Sequence, residues 1–531
     1  MCCEGVHTVL DSKLSSSGTA LTGQVVRYDR RSRITAIALG VFATVLSAAG
    51  SWIPSFWGDE AASIMSAQRP LSSLFVMTGH VDAVHGTYYL LLHFWINLFG
   101  SSPFSVRFLP ALAVGIAAVG VFVLARRLGG YRVALFAGLI FAFLPRVTYM
   151  GEETRSYALS AAGAVWLTVL LVRLLARQER RILPWAGYAV LLALSAYLFL
   201  FTLLMLAAHA VILLSVTRER RMLRAWLLAS VAGIALVSPL IYWAYRERNQ
   251  ISYLASSGAT APNSIIVDQW FGNVGYAILA WAMVVIAFVL AGIAWRRRRS
   301  ISAGDAADAA VERNSVLTPS TPGLPSLFVV SASFMFIPPV LLLLANFASA
   351  VYTVRYMSFA TPGVALMLAF AVTLPKRRWI SILALVLLIA AAVPTYVFER
   401  TPYAKNASDW AEVASVVAAH ARPGDAVVFD ESTQPSKRLR LAMHTYPSAF
   451  KGIKDVTLKV PYYKNTWWWD TFYTVPQVAD RFANINTVWL LEYKFPGKPA
   501  DTYGMADLKQ LGYTVTRSYT DERSVVYELT K

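Results

Sequence analysis

Two adjacent carboxylates, Asp59 and Glu60, follow the first long apolar run of the chain. Further along, Asp82 and His85 stand three positions apart. Charged side chains at the edge of a membrane segment are costly to retain, so they are treated first as functional residues. Adjacent carboxylates can transfer protons or hold a divalent ion. The alternative interpretation of an isolated Asp-Glu pair is a solvated acidic loop.

The composition identifies the class of protein that must position these residues. The chain has 531 residues, of which 56% are hydrophobic and 15% are charged, and its mean hydropathy is +0.50. A soluble chain of this size could not bury so much apolar surface, and several apolar runs reach the roughly 20 residues that cross a bilayer. The net charge of +18 comes from arginines in short loops, as the positive-inside rule expects, and does not indicate nucleic acid. We therefore predict a polytopic α-helical membrane protein.

The order of apolar and basic segments predicts about eleven transmembrane helices. Residues 86–99 form an apolar run too short to span, and we expect an interfacial helix there. This choice places Arg126, Arg127 and Arg132 on the cytoplasmic side. The predicted spans are 34–53, 103–125, 133–149, 156–176, 182–199, 200–217, 225–245, 273–295, 324–346, 357–374 and 379–397.

Three regions follow from this topology. Residues 1–33 are predicted to be a disordered cytoplasmic tail, which contains the only two cysteines, Cys2 and Cys3. Residues 34–397 form the transmembrane domain, with an outer loop at 54–102. Residues 398–531 change in composition and alternate helical and strand patterns, with a helix at 410–420 and strands at 425–430, 487–493 and 524–529. We predict a C-terminal extracytoplasmic α/β domain.

The predicted topology gathers carboxylates, histidines and arginines on the outer face of the membrane. Such a set suits an anionic, sugar-like substrate. Tyr88 and Tyr89, by contrast, are expected in the aromatic belt at the interface. The outer residues include Asp59, Glu60, Asp82, His85, Glu153, Arg155, Tyr157, Arg355 and Tyr356.

The order of these motifs resembles a known family. The acidic pair is followed by Asp-x-x-His and a Tyr-Tyr helix, then by Ser-Val-Arg-Phe-Leu-Pro, Ala-Arg-Arg-Leu-Gly-Gly, Glu-Thr-Arg-Ser-Tyr-Ala-Leu and Val-Arg-Tyr-Met. This series is similar to the GT-C membrane glycosyltransferases that use polyprenyl-phosphate sugars. They include the protein O-mannosyltransferases, the lipid A aminoarabinose transferases and their actinobacterial relatives. The resemblance covers roughly residues 34–397 and does not reach the C-terminal domain.

The resemblance implies an inverting sugar transfer at the extracytoplasmic face. Asp59 matches the catalytic base, and Glu60 beside it would tune its pKa or bind a cation. Asp82 and His85 match an Asp-x-His element, although the two prolines that usually follow it are absent. Glu153, Arg155 and Tyr157 match the second outer loop, and Arg355 and Tyr356 the late outer loop. The arginines would bind the donor phosphate, and no outer acid is required to pair with either of them.

The resemblance leaves the substrates open. Mannose and arabinose are the first expectations for the sugar, and the acceptor is a glycan, a lipid or a protein. No metal site and no cofactor is assigned, although a divalent cation at the carboxylates stays open. Membrane lipid is the expected surrounding, and the protein is expected in the cell membrane. A transporter or flippase of lipid-linked sugars shares the composition, but would be expected to show inverted repeats that are not evident in this sequence. A non-catalytic scaffold would not need Asp59.

Overall fold

The computed structural model describes residues 29–256, 258–300, 323–494 and 503–531, and gives the backbone alone at 297–300. Most of the predicted tail, with Cys2 and Cys3, lies outside the described residues. The last residues of that tail belong to the first helix, which begins at Arg30 and is capped by the Asp29 side chain.

The described chain is mostly helical. Ser102 caps the longest helix, and Pro103 occupies its first turn, where a missing N–H is tolerated. The α-helices are α1 (Arg30–Ala48), α2 (Gly58–Gln68), α3 (Leu71–Thr78), α4 (Gly86–Phe99), α5 (Pro103–Phe143), α6 (Pro145–Gly151), α7 (Tyr157–Ala176), α8 (Ile182–Leu198), α9 (Met205–Val216), α10 (Arg220–Arg246), α11 (Val274–Ser300), α12 (Leu327–Asn346), α13 (Thr361–Thr373), α14 (Arg378–Glu399), α15 (Trp410–His420), α16 (Arg440–Thr445) and α17 (Met505–Gln510).

Eight helical segments of the described chain are long and apolar enough to cross a membrane, and Ile182–Leu198 and Leu200–Val216 are shorter apolar helices. Helix α5 covers the predicted span 103–125 and the first part of the span 133–149, which continues into α6. Gly130, with a φ of 87°, interrupts the helical backbone between the two. Each predicted span thus coincides with helical structure. The multi-pass membrane fold is confirmed, whereas the number of eleven crossings stays a prediction.

The predicted outer loop, residues 54–102, is itself folded into helices α2, α3 and α4. Helix α4 has the predicted bounds of the interfacial helix. One side of it buries Tyr88, Tyr89 and Leu92, while Phe94 and Leu98 are exposed on the other. This division suits a helix with one face on protein and one on lipid, but its orientation to the bilayer stays a prediction.

The C-terminal region contains a mixed five-stranded sheet in the order β2-β1-β5-β7-β6. Strands β1 and β5 are parallel, with Val427 opposite Trp489, whereas β5 and β7 are antiparallel, with Leu490 opposite Tyr527. The predicted helix 410–420 and the three predicted strands are present. The strands are β1 (Ala426–Phe429), β2 (Lys454–Asp455), β3 (Leu458–Val460), β4 (Thr471–Phe472), β5 (Thr487–Tyr493), β6 (Thr514–Thr520) and β7 (Ser524–Thr530).

A shared hydrophobic core joins the sheet region to helices α2, α3 and α4 of the predicted outer loop. Met65 of α2 and Tyr89 of α4 belong to the same buried cluster as Trp410 of α15 and Trp489 of β5. The sheet region is therefore packed against the segment that carries Asp59. The predicted division at residues 397 and 398 stays a prediction, with α14 ending at Glu399.

Candidate functional site

Asp59 lies in the first turn of α2, between two arginines. Its Oδ2 accepts a hydrogen bond from Arg355 Nη1, and its Oδ1 lies 3.5 Å from Arg155 Nη2. The Arg355 guanidinium also lies 5.1 Å from the centre of the Trp57 ring. The expectation that no outer acid pairs with these arginines is wrong, because both arginines converge on Asp59.

Gly58 allows α2 to begin against the sheet region. A Cβ at this position would lie 2.4 Å from the carbonyl oxygen of Ser436, which is closer than atoms can approach. Only glycine permits this contact, and the contact fixes where Asp59 is presented.

Burial by itself would raise the pKa of Asp59, but the charges of Arg355 and Arg155 outweigh it and hold the pKa below its ordinary value. The Asp59 side chain retains 27% of its exposure. Asp59 is therefore an ionised, accessible carboxylate at neutral pH.

Glu153 is the second carboxylate near Arg355. Its Oε1 lies 3.6 Å from Arg355 Nη1, and its side chain is fully buried. Burial raises the pKa of Glu153 above its ordinary value, although Arg355 opposes the rise. The two carboxylates around Arg355 thus have pKa values shifted in opposite directions.

Arg155 connects Asp59 to the residues predicted further along the outer loop. Its Nη1 donates to the Tyr89 hydroxyl over 3.2 Å, and the Tyr89 hydroxyl donates to Asp82 Oδ2. His85 Nε2 lies 3.9 Å from Asp82 Oδ1, and burial lowers the pKa of His85. Tyr89 was expected in the aromatic belt, which is wrong, because it is buried here. Residues 86–99 are apolar on nearly every face of the helix, so the sequence carried no signal for this position.

Glu60 points away from this cluster. Both of its oxygens are held by Arg107, with Nε–Oε1 at 2.8 Å and Nη2–Oε2 at 2.5 Å, and both side chains are fully buried. Arg107 also donates to the carbonyl oxygens of Ser51 and Pro54 over 2.7 Å. Sequence reasoning missed this role of Arg107, although an arginine in an apolar helix start was the available signal. The Glu60–Arg107 pair fixes the chain that leads from α1 into α2.

A second buried ion pair fixes the loop that carries Glu153 and Arg155. Glu152 Oε1 lies 3.2 Å from Lys405 Nζ, and Glu152 Oε2 lies 3.5 Å from Arg400 Nη1. Lys405 and Arg400 lie in the segment between α14 and α15, so this segment is tied to the site. No pattern in the sequence indicated this pairing, because it joins residues far apart in the chain.

Tyr157 and Tyr356, also predicted as site residues, lie close to each other. Their rings are 6.4 Å apart, and the Tyr356 ring lies 5.6 Å from that of Phe199. Tyr356 lines a mostly apolar cavity of about 340 Å³, which we name the lipid-side cavity. Its lining includes Asp82, His85, Phe199, Phe201, Ile241, Tyr245, Ile251 and Tyr356.

A second cavity, of about 390 Å³, lies between α2 and the sheet region, and we name it the sheet-side cavity. Asp59 lines this cavity together with residues of the C-terminal region. A third cavity, of about 380 Å³, adjoins it, and Trp57 and Asn406 line both. The sheet-side cavity is lined by Trp57, Gly58, Asp59, Asn406, Ala407, Ser408, Asp409, Trp410, Ser436, Lys437, Tyr493 and Arg523.

The residues around Asp59 do not form an evident metal site. Within the ranges that the structure describes, no group of three or more His, Cys, Asp and Glu side chains is placed to hold an ion. Arginines occupy the carboxylate oxygens of Asp59 and Glu60. The donor set does not fit the divalent cation that the sequence left open.

The chain is similar to known membrane glycosyltransferases in part of its sequence and in its fold. Residues 87–243, from α4 to α10, match the family described as dolichyl-phosphate-mannose-protein mannosyltransferase. The crystal structure of ArnT from Cupriavidus metallidurans bound to undecaprenyl phosphate is similar at 13% identity, over 93% of this chain and 97% of that one, with a TM-score of 0.51. The arabinofuranosyltransferase AftD from mycobacteria is similar at 16% identity, over 95% of this chain and 40% of that one, with a TM-score of 0.48. No curated protein matches the sequence significantly.

The resemblance drawn from the sequence motifs is thereby confirmed for the matched segment and for the fold. At such low identity, the likeness to ArnT is one of fold alone. The matched segment contains Tyr89, Arg107 and Arg155, so it includes side chains from both of the networks around α2.

Proposed function

Because this chain has the fold of the GT-C membrane glycosyltransferases, we propose that it transfers a sugar from a polyprenyl-phosphate donor to an extracytoplasmic acceptor. The observation that carries the proposal is the position of Asp59. It is an ionised carboxylate held between two arginines. It lines the sheet-side cavity, and Arg155 and Tyr89 connect it to Asp82, which lines the lipid-side cavity. Mannose and arabinose stay the first expectations for the sugar.

In the proposed reaction, Asp59 accepts the proton of an acceptor hydroxyl while the hydroxyl oxygen attacks the anomeric carbon of the donor. The bond between that carbon and the phosphate oxygen breaks, and polyprenyl phosphate leaves with the electron pair. Attack from the side opposite the phosphate inverts the configuration of the sugar. Arg155 and Arg355 stabilise the charge that develops on the phosphate.

The ion pairs of Asp59 give this reaction an order of events. Without donor, both arginines hold Asp59 and keep its pKa low. A donor phosphate competes for the same guanidinium groups, and its arrival weakens their hold on the carboxylate. Asp59 then becomes a stronger base once the donor is in place.

The cavities suggest how the two substrates are separated. The lipid-side cavity has an aromatic and aliphatic lining beside Asp82 and Tyr356, which suits the first isoprene units of a polyprenyl chain. The sheet-side cavity contains Asp59 and more polar groups, which suits a hydroxyl-bearing acceptor. We place the acceptor there, on the extracytoplasmic side.

A panel of radiolabelled undecaprenyl-phosphate sugars, incubated with the full-length protein in lipid nanodiscs, tests the function. Transfer or hydrolysis of one donor, lost in Asp59→Asn, supports a glycosyltransferase. Movement of intact donor between leaflets without cleavage would instead identify a flippase. No consumption of any donor in the panel would overturn the proposal.

Replacing Arg155 or Arg355 with Lys is expected to raise the donor KM by about 10- to 100-fold. Lysine retains the charge but loses the planar, bidentate geometry that suits a phosphate. The range corresponds to about 1.5–3 kcal/mol for a hydrogen bond to a charged group. The donor KM and kcat are measured with the consumed sugar. Arg523→Lys, in the sheet-side cavity, is the matched control, and a donor KM unchanged in both site variants would contradict phosphate binding by these arginines.

The pH dependence distinguishes Asp59 from Glu153 as the base. Because the pKa of Asp59 lies below its ordinary value, kcat/KM should stay level from about pH 7 to about pH 5. Asp59 remains deprotonated over that range and loses its function only when the pH falls through its lowered pKa. The measurement is donor turnover across the range in the wild type and in Glu153→Gln. A fall in the wild type over this range, together with loss of turnover at every pH in Glu153→Gln, would move the base to Glu153, whose pKa is raised.

A further inference from the structure

A strained turn, Lys405–Ser408, lies between α14 and α15 at the edge of the site. The Ser408 N–H donates to the Lys405 carbonyl oxygen over 3.0 Å. The two central residues, Asn406 and Ala407, have φ values of 55° and 54°. Positive φ at both central positions is the pattern of a type I′ turn, which favours Asn followed by Gly. Alanine at the second position is unfavourable, because its Cβ crowds the backbone there.

Buried contacts on both sides hold the turn in this conformation. Before it, the Lys405 ammonium is paired with Glu152 and lies 3.7 Å from the centre of the Tyr149 ring. After it, the Ser408 hydroxyl donates to the Phe56 carbonyl oxygen over 2.6 Å. Glu152 directly precedes Glu153, and Phe56 directly precedes Trp57. The turn is therefore fastened to the two segments that carry the site.

Strained residues of this kind are concentrated around Asp59. Four residues other than glycine have positive φ in the described part of the chain. Three of them, Asp82, Asn406 and Ala407, border the site, and the fourth, Gln178, lies in the turn that follows α7. Strained backbone persists where its surroundings enforce it, and it clusters at functional sites.

The turn presents Asn406 to the junction of two cavities. The Asn406 side chain is exposed, lines both the sheet-side cavity and the third cavity, and forms no hydrogen bond to any residue that the structure describes. Trp57, which lines the same two cavities, has a buried Nε1 without a hydrogen-bond partner among the described residues. Two side chains with an unpaired donor, an amide and an indole N–H, thus line the same cavity as Asp59.

We propose that Asn406 binds the acceptor, and that the acceptor group at this position is a carbohydrate. Its amide would hydrogen-bond to a sugar hydroxyl neighbouring the one that Asp59 deprotonates, and the rigid turn would fix that hydroxyl relative to the carboxylate. The inference rests on the proposed sugar transfer and extends it to the acceptor. Trp57, Trp410 and Tyr493 line the same cavity, and aromatic walls with a few polar groups suit a sugar ring better than an acyl chain. The donor lipid is assigned to the opposite side of Asp59, next to Tyr356.

Two substitutions of Asn406 distinguish the effect of its side-chain amide from the effect of the turn conformation. Asn406→Gly removes the side chain and tolerates the positive φ, whereas Asn406→Asp retains the shape but loses the N–H donors. Both are expected to raise the acceptor KM by about three- to tenfold, the effect of one hydrogen bond. The acceptor probe is the methyl glycoside of the sugar that the wild type consumes from the undecaprenyl-phosphate panel. Hydrolysis of the donor without acceptor, and the donor KM, should change by less than about twofold.

Ala407→Gly is the matched control, because it places a glycine in the same turn and leaves the Asn406 amide in place. Its acceptor KM measures the effect of a glycine in the turn alone and should change less than in the Asn406 variants. It should unfold at the same or a higher temperature than the wild type, since it relieves strain. If both Asn406 variants have the same acceptor KM as Ala407→Gly, this inference is wrong while the proposed function stands. The same holds if the Asn406 variants change donor hydrolysis as much as they change acceptor transfer. If the wild type consumes no donor, or if Asp59→Asn retains full turnover, the proposed function itself fails and the inference fails with it.

Discussion

Replacement of Asp59 by Asn is expected to lower kcat by about 10²–10⁴-fold, the usual effect of losing a positioned general base. The substitution is nearly isosteric, so α2 and the contact of Gly58 with Ser436 should persist. It also frees Arg155 and Arg355 from their carboxylate partner. A donor phosphate then no longer competes with Asp59 for these arginines, and Asp59→Asn should bind undecaprenyl phosphate at least as tightly as the wild type does.

This combination of lost turnover and retained binding distinguishes a base from a structural residue. The two measurements are single-turnover transfer and equilibrium binding of labelled undecaprenyl phosphate, both in nanodiscs. Asp480→Asn, an exposed carboxylate in the sheet region, serves as the control for expression and charge. Wild-type turnover in Asp59→Asn would refute the assignment, and loss of both turnover and binding would indicate that Asp59 organises the site instead.

Glu60→Ala and Arg107→Ala are expected to have the largest effects on stability, about 3–5 kcal/mol each, because each leaves a buried charge without its partner. The pair is bidentate and wholly buried, and Glu60 Oε1 also accepts from the Thr154 N–H over 3.1 Å. The loop with Arg155 therefore depends on the same carboxylate. Thermal unfolding in detergent and the yield of folded protein measure the effect.

The double variant Glu60→Leu with Arg107→Met provides the control for this prediction. Removing both charges should restore much of the stability that either single change removes, because no unpaired charge remains. If Glu60→Ala instead folded with wild-type stability and lost turnover, Glu60 would act on Asp59 as the sequence predicted. The structure favours the stabilising role, since Glu60 is held by Arg107 and not by a residue of the Asp59 cluster.

The local features of the fold could be predicted because they depend on neighbouring residues. The bounds of helices α4 and α15 agree with the predicted ranges 86–99 and 410–420, and β5 agrees with 487–493. These elements have clear periodicity and end at turn residues such as Gly100. Strand β6 was missed, because Thr514–Thr520 is largely exposed and carries no apolar pattern; it is defined by pairing with β7.

The motif order predicted residues that lie at the candidate site, but it did not predict which of their side chains pair with each other. The order of motifs indicated Asp59, Arg155 and Arg355, and all three lie together. The sequence could not tell that Glu60 and Asp59, adjacent in the chain, point to different partners. On a helix, successive side chains are rotated by about 100°, so neighbours in sequence face different surroundings.

By itself, the sequence determined the class of this protein, its helical segments and the residue types available for chemistry. These follow from hydrophobic periodicity and from the placement of basic residues, which act over a few helical turns. Only the tertiary structure decided that Arg107 forms an ion pair with Glu60 and that Lys405 forms one with Glu152. It also decided that Asn406 lies at the edge of the site, in the same cavity as Asp59. Each of these contacts joins residues far apart in the chain, and a charge that is buried by packing must pair with whichever opposite charge the packing places beside it.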